Sequence, residues 1–405
     1  MNYAAAQKSA ISRPWPMYLV SLGHGGTHWI QATFYTILPY VAADLGLTYT
    51  QIGFLLSLFH LSSAIANVPS GMIVDVTGRR VLYQALALAL GGVALLCFSF
   101  SRQYWAFAAA VAVIGAANML WHPAAISYLS IRYPDRRGLA LAMHGLGANL
   151  GDALGPMAAG ALLLVMSWNG TAAVNALLVI LSAGLLFVLL ERTKTAGGHE
   201  VAAASFRGYL HGMGTLLKDR AVWALCSMAA FRTAAQGGLL AFLPLYLAHD
   251  MQVNPFWMGF AMMVLQAGGA AASPVAGLLS DRMGRRPVVL AGLWATTVII
   301  FALTFVTNAP LYIAGISMLG FFMYAVRPVI HSWMMDMSPP ELGASITSLV
   351  FGTQSALTTL VPIVGGYLAD RYGLISVFYL LAGMMLIANV LTLFVPRQLT
   401  AVKTA

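Results

Sequence analysis

The chain has 405 residues, 60% of them hydrophobic and 8% charged, with a mean hydropathy of +0.80 and a formal charge of +9. So apolar a composition excludes an ordinary soluble domain, and long uncharged runs read as membrane spans. The positive charge does not point to nucleic acid, because the basic residues sit in short turns between apolar runs.

Apolar runs between charged or Pro/Gly-rich breaks predict twelve helices, each of roughly 20–28 residues and long enough to cross a bilayer. They fall near 16–41, 50–75, 81–100, 104–131, 138–166, 171–190, 219–247, 255–280, 287–306, 309–335, 342–369 and 374–395. The N-terminus carries Lys8 and Arg13 before a span too long for a cleavable signal, so it is expected to be retained. Cys97 and Cys226 lie inside apolar runs and read as packing residues. Segment 191–218, with Glu191, Arg192, Lys194, Glu200, Arg207 and Lys218, reads as a linker between six-helix halves at 1–190 and 219–405. Its Phe206, Tyr209, Met213 and Leu217 have helical spacing, which predicts a short helix on the membrane surface. Of the 21 basic residues, 17 fall at the termini, in the linker and in turns on one side, two (Arg102 and Arg371) fall on the other, and Arg232 and Arg327 fall inside spans. That asymmetry predicts cytoplasmic termini.

The turn after the second span, Gly71-Met-Ile-Val-Asp75-Val-Thr-Gly78-Arg79-Arg80, recurs as Gly277-Leu-Leu-Ser-Asp281-Arg-Met-Gly284-Arg285-Arg286, displaced by 206 positions (277 minus 71). The second glycine of each copy supplies the positive φ that a tight turn needs. The aspartate lies one helical turn beyond the first glycine on the same face, where it can meet a neighbouring helix end or an arginine. Other positions repeat at displacements of 205 or 206: Pro39 with Pro244, Gly53 with Gly259, Gln31 with Gln236, Pro123 with Pro328, Gly147 with Gly352, and Pro156 with Pro362.

The duplicated turn resembles the loop between helices 2 and 3, and its twin between helices 8 and 9, of the major facilitator superfamily. Val76 departs from the pattern, in which a basic residue commonly follows the aspartate, whereas Arg282 conforms. His24-Gly-Gly-Thr-His28-Trp-Ile-Gln31, Trp121-His122-Pro123 and Gly147-Ala-Asn149-Leu-Gly151-Asp152-Ala-Leu-Gly155-Pro156 are similar to the fosmidomycin-resistance branch of bacterial efflux proteins. The resemblance implies an all-α membrane protein of two pseudo-symmetric six-helix bundles, a substrate site between the halves, and a bacterial inner-membrane location. That branch has an acid where this chain has His28 and a glutamate where it has Ala124, so proton coupling is not carried over from those positions.

Ionisable groups inside spans are costly, roughly 2.5–3.5 kcal/mol each on insertion scales, and are functional candidates. Asp152 is the one carboxylate read as lying near mid-membrane, with Arg232, Arg327, His28 and His122 as its partners by depth. A structural Asp152–arginine pair is the plain alternative to a role in transport. His24, His28, Gln31 and Tyr35 share one face of the first helix, as Asn118 and His122 do on the fourth. The candidate substrate contacts are therefore His24, His28, Gln31, Tyr35, Asn118, His122, Asn149, Arg232, Gln236 and Arg327, with Asp152, His28 and His122 for proton coupling. His60, His144 and His331 carry weaker signals. Gating is assigned to Gly71, Asp75, Arg79, Gly277, Asp281 and Arg285 in the duplicated turns. It is also assigned to Gly155 and Pro156, whose surroundings resemble the helix-5 signature of antiporters, with Ala159 in place of a glycine. His24 and His28 have metal-ligand spacing, but no carboxylate or cysteine accompanies them in sequence, so no metal is expected.

No nucleotide-binding motif is present, which excludes an obvious ATP-driven pump. The expected function is secondary transport of a small, amphipathic, anionic or zwitterionic compound by alternating access, as proton-coupled efflux. The rivals are an importer of the same fold and a non-transporting receptor or lipid-handling protein. No enzymatic activity, cofactor or nucleic-acid partner is expected. The chain should act as a monomer whose partners are its substrate, protons and membrane lipid.

Overall fold

The structure is a computed structural model that describes residues 14–191, 218–337 and 343–395. The expected linker and surface helix at 191–218 lie almost wholly outside the described residues. Twelve long helices appear: α1 (Trp15–Leu45), α2 (Tyr49–Thr77), α3 (Arg80–Phe100), α4 (Tyr104–Arg132), α5 (Arg137–Leu162), α6 (Trp168–Glu191), α7 (Arg220–Leu245), α8 (Pro255–Met283), α9 (Arg285–Leu303), α10 (Ala309–Asp336), α11 (Gly343–Tyr372) and α12 (Ile375–Phe394). They match the expected spans in number and order. No strand occurs among the described residues.

Local chemistry sets the ends of several helices. Gly46 closes α1 in the left-handed region at φ 62°. Asp219 caps α7 by accepting from the Ala221 N–H, and Asn308 caps α10 by accepting from Leu311. In the duplicated turn Gly78 and Gly284 have φ of 65° and 87°, the conformation the motif predicts for its second glycine. Helix-interior prolines occur at 39, 69, 123 and 156, and again at 244, 274, 328 and 362. Each has a twin 205 or 206 positions away, so the repeat extends to where the helices loosen. Past Pro244, α7 widens into a single π-turn at Tyr246–Asp250.

The described residues fall into two units, one of 14–46, 58–191 and 254–263, the other of 47–57, 218–253 and 264–395. In the first, α1 packs on α5 and α6, and α3 packs on α4 and α6. In the second, α7 packs on α11 and α12, and α9 packs on α10 and α12. Adding six to each label of the first set gives the second, so the sequence repeat is also a packing repeat.

Nine helices are long and apolar enough to cross a membrane among the described residues, and α1, α5 and α7 fall short on hydropathy. Those three carry His24 and His28, Asp152, and Arg232. Three helices that look least like membrane spans thus each hold an ionisable candidate, while His122 and Arg327 sit on α4 and α10, which do qualify as spans.

Candidate functional site

In the first unit the site begins with glycine. Gly147, Gly151 and Gly155 recur every four residues on α5 and line one stripe against α1. A Cβ at Gly147 would overlap the Ser21 carbonyl, and one at Gly151 would overlap the Gly25 carbonyl. Gly25 in turn faces the Gly147 carbonyl, with its own Cβ position 2.9 Å away. With no side chains in the way, the two backbones touch. Long side chains flanking the stripe are thereby brought across the seam.

The result is a cluster of four histidines and an acid. His28 Nδ1 lies 2.9 Å from Asp152 Oδ1. His24 is buried, its Nδ1 2.8 Å from the His144 carbonyl and its Nε2 3.4 Å from His122 Nε2. His122 Nδ1 lies 3.0 Å from the Asn118 carbonyl. The His144 ring stacks on His24 at a centroid separation of 3.7 Å, and the Trp121 indole N–H donates to His144 Nε2 at 3.1 Å. A ring nitrogen facing a carbonyl must carry the proton, so His24 and His122 are both Nδ1–H tautomers when neutral.

Within the first unit Asp152 thus pairs with a histidine. Gln31 and Tyr35 bond to each other beside the cluster: Gln31 Nε2 donates to Tyr35 Oη at 3.3 Å, and Tyr35 Oη lies 3.4 Å from His60 Nε2. Asn118 enters through its backbone carbonyl, while its side-chain Nδ2 is buried with no hydrogen-bond partner. Asn149 is exposed and is not brought to the cluster. His144 and Trp121 had no place among the site candidates. The signal was available, since 144, 148 and 152 are spaced by four and share a helix face.

In the second unit a cavity of about 150 Å³ is lined by Arg232, Thr233, Gln236, Arg327, His331 and Gln354, with Phe351 and Ile330 as apolar wall. No carboxylate lines it among the described residues. Arg232 is buried at 3% exposure, and its Nη2 donates to the Met323 carbonyl at 2.5 Å. Met323 lies five residues before Pro328, which lacks the N–H that would occupy the Tyr324 carbonyl and loosens that turn of α10. Arg232 thus takes a backbone-carbonyl anchor at the proline-loosened turn of α10. Arg232 Nε is buried without a hydrogen-bond partner, and Arg327 is exposed. The cavity therefore presents two guanidinium groups and two carboxamides to whatever enters.

The duplicated turns differ in what they hold. Arg285 reaches Asp336 at the end of α10 (Nε to Oδ2, 2.9 Å), Ser280 Oγ at 2.8 Å, and Asp281. Gly71 and Gly277 have open space where a Cβ would stand. In the first copy Asp75 and Arg79 are exposed with no ion pair among the described residues, and Arg80 reaches inward to Ser127 at 2.5 Å. Gly155 and Pro156 take part in packing within the first unit: Gly155 lies against Ala32 and Trp29, and the Pro156 carbonyl leaves no room for a Cβ at Gly259.

Comparison with known proteins agrees with this architecture. The chain is similar to the fosmidomycin resistance protein of Escherichia coli (strain K12), at 23% identity over 386 residues, 93% of this chain and 91% of that one. It is also similar to the multidrug efflux pump Tap of Mycolicibacterium fortuitum, at 25% identity over 358 residues, 82% and 84% of the two chains. In fold it resembles a bacterial homologue of the human lysosomal transporter Spinster, with a TM-score of 0.82 at 14% identity, over 95% of this chain and 97% of that one. The nucleoside transporter NupG gives a TM-score of 0.78 at 13% identity, over 94% and 99%. Residues 20–272 and 225–404 each match the profile of the Major Facilitator Superfamily, and the chain belongs to that superfamily of multi-pass membrane transporters.

Proposed function

We propose that this transporter exports a small amphipathic compound carrying negative charge, singly or as a zwitterion, in exchange for protons across the bacterial inner membrane, with both termini cytoplasmic. The observation that carries the proton half is the His28–Asp152 pair at 2.9 Å. A carboxylate hydrogen-bonded to an imidazole can take up and release a proton as its surroundings open and close, because each group's charge sets the other's affinity for the proton. The anion half is supported by the two arginines of a cavity that has no acid among its described lining residues. Arginine stays protonated and its planar fork suits carboxylate or phosphate groups. Export, in preference to import, is supported by the efflux proteins among the relatives.

The test uses everted membrane vesicles from cells expressing the protein, with fosmidomycin, named by the E. coli relative, and a panel of amphipathic anions as probes. Wild type should dissipate a pre-formed pH gradient when a transported compound is added. Asp152→Asn should lose that response and uphill accumulation while keeping downhill exchange. An Asp152→Asn protein that still pumps uphill rules out this proton site. Flux indifferent to the pH gradient rules out proton coupling, and accumulation inside intact expressing cells rules out export.

A further inference from the structure

We infer that His24, His28 and His122 form a binding site for a divalent transition-metal ion. One ring nitrogen from each lies within 4.8 Å of the others. Each imidazole is also held by its Nδ1 on an oxygen acceptor: His24 on the His144 carbonyl, His122 on the Asn118 carbonyl and His28 on the Asp152 carboxylate. That is the arrangement by which proteins fix metal-binding histidines, the outer oxygen setting the tautomer and turning Nε2 toward the ion. The sequence spacing of His24 and His28 lacked a third ligand and an acid, and the fold supplies both from α4 and α5.

The separation of the two Nε2 atoms argues for a cation between them. With Nδ1 protonated on both rings, the Nε2 atoms of His24 and His122 point lone pairs at each other across 3.4 Å. Two neutral acceptors gain nothing from that approach, and a bound cation turns it into an attraction. Nitrogens roughly 2.0–2.1 Å from a tetrahedral metal ion lie about 3.4 Å from one another. The His24–His122 spacing is thus already that of two ligands on one ion, and a ring nitrogen of His28 within 4.8 Å offers the third. Imidazole donors suit zinc, nickel, copper and cobalt over magnesium or calcium. Three protein ligands leave a fourth position for water or for a donor atom of a transported molecule. His28 and Asp152 are partly exposed, with 21% and 26% of their side-chain surfaces accessible, which leaves the ion a way in.

The inference is separate from the export reading, and its test is made on purified full-length protein in detergent with any affinity tag removed, so either can fail alone. Co²⁺ is the probe, with binding followed by its visible absorption and by calorimetry. One Co²⁺ per chain should bind with the intense bands of tetrahedral coordination, and Zn²⁺ should displace it. His24→Gln and His122→Gln should each weaken binding by about 100-fold or more, and Asp152→Asn by about 10- to 100-fold. His122→Cys, which keeps a ligand at that position, should bind Co²⁺ with a new sulfur-to-metal charge-transfer band. His249→Gln, outside the cluster, should change nothing. Absence of saturable Co²⁺ binding by wild type overturns the proposal. So does binding that survives unchanged in both glutamine variants, or a His122→Cys protein, folded by its thermal transition, whose bound Co²⁺ shows no sulfur band.

Discussion

Asp370, near the end of α11, caps the first turn of α2 through Thr50, accepting from its backbone N–H at 2.8 Å and its hydroxyl at 2.6 Å. The other carboxylate oxygen accepts from the Tyr49 N–H at 2.8 Å. Helix N-termini leave N–H groups unsatisfied and carry partial positive charge, so an acid there serves both needs. This is the anchoring of a helix end expected of Asp75 and Asp281, found instead at Asp370, which follows Gly366 by the same four-residue spacing. A Cβ at Gly366 would overlap the Tyr49 carbonyl, so the glycine brings the acid within reach.

Asp370→Ala should loosen residues 49–57 without unfolding the protein. Loss of a cap costs about 1 kcal/mol, which corresponds to about fivefold faster local opening. Hydrogen exchange of that segment measures it, and unchanged protection would show the cap to be ornamental.

The glycine stripe of α5 gives a packing prediction. Gly147→Ala and Gly151→Ala place a methyl on the backbone of α1 and should destabilise by about 1–3 kcal/mol, with lower expression and a lower thermal transition. Gly184→Ala meets nothing within 4 Å and should be neutral or slightly stabilising, as alanine is in a helix interior. Equal effects at Gly151 and Gly184 would mean the seam is looser than its geometry.

The two copies of the turn should respond differently. Arg285→Gln removes bonds to Asp336, Ser280 and Asp281 together and should slow transport more than Asp281→Asn, which leaves Arg285 two acceptors. Asp75→Asn should be the mildest, since Asp75 is exposed and makes no ion pair among the described residues. Initial transport rates of the three variants at matched expression give the order, and a severe Asp75→Asn defect would overturn it.

That asymmetry shows what was legible in the sequence. Helix number, order, prolines and turn glycines follow from local chemistry and a repeat, and these the chain displays openly. Displacing Asp336 by 205 or 206 positions lands on Ile131 or Ser130, and Ser280 lands on Val74. The first half thus has no acid in place of Asp336 and no hydroxyl in place of Ser280, and keeps only Asp75 as the twin of Asp281, a difference readable only once Asp336 is known to be the partner. Depth leaves four candidate partners for Asp152 and cannot choose among them. The choice of His28 depends on how α5 is rotated against α1, which the close approaches of Gly147 to Ser21 and Gly151 to Gly25 fix. His144 carries only a weak signal in sequence because its ring acts as a stacking partner and its backbone carbonyl as an acceptor, and neither role leaves a motif.

The cavity arginines divide the work in a way that can be measured. Arg232 is buried and spends one Nη2 bond on the Met323 carbonyl, so its remaining donors are held at a fixed angle. Arg327 is exposed, with no such anchor among the hydrogen bonds of the described residues. A lysine at 232 has one ammonium and cannot hold the carbonyl while presenting a planar fork, whereas a lysine at 327 still brings a mobile charge. Arg232→Lys should therefore raise the apparent KM for an anionic substrate about as much as Arg232→Gln, by about tenfold or more if one charge-assisted hydrogen bond is lost. Arg327→Lys should keep most of the affinity that Arg327→Gln loses, with a stronger dependence on salt. Uncharged analogues of the same compound should show little change in any of the four variants. If both glutamine variants transport the anion with unchanged KM, the charge of this cavity does not read the substrate, and the anion reading falls.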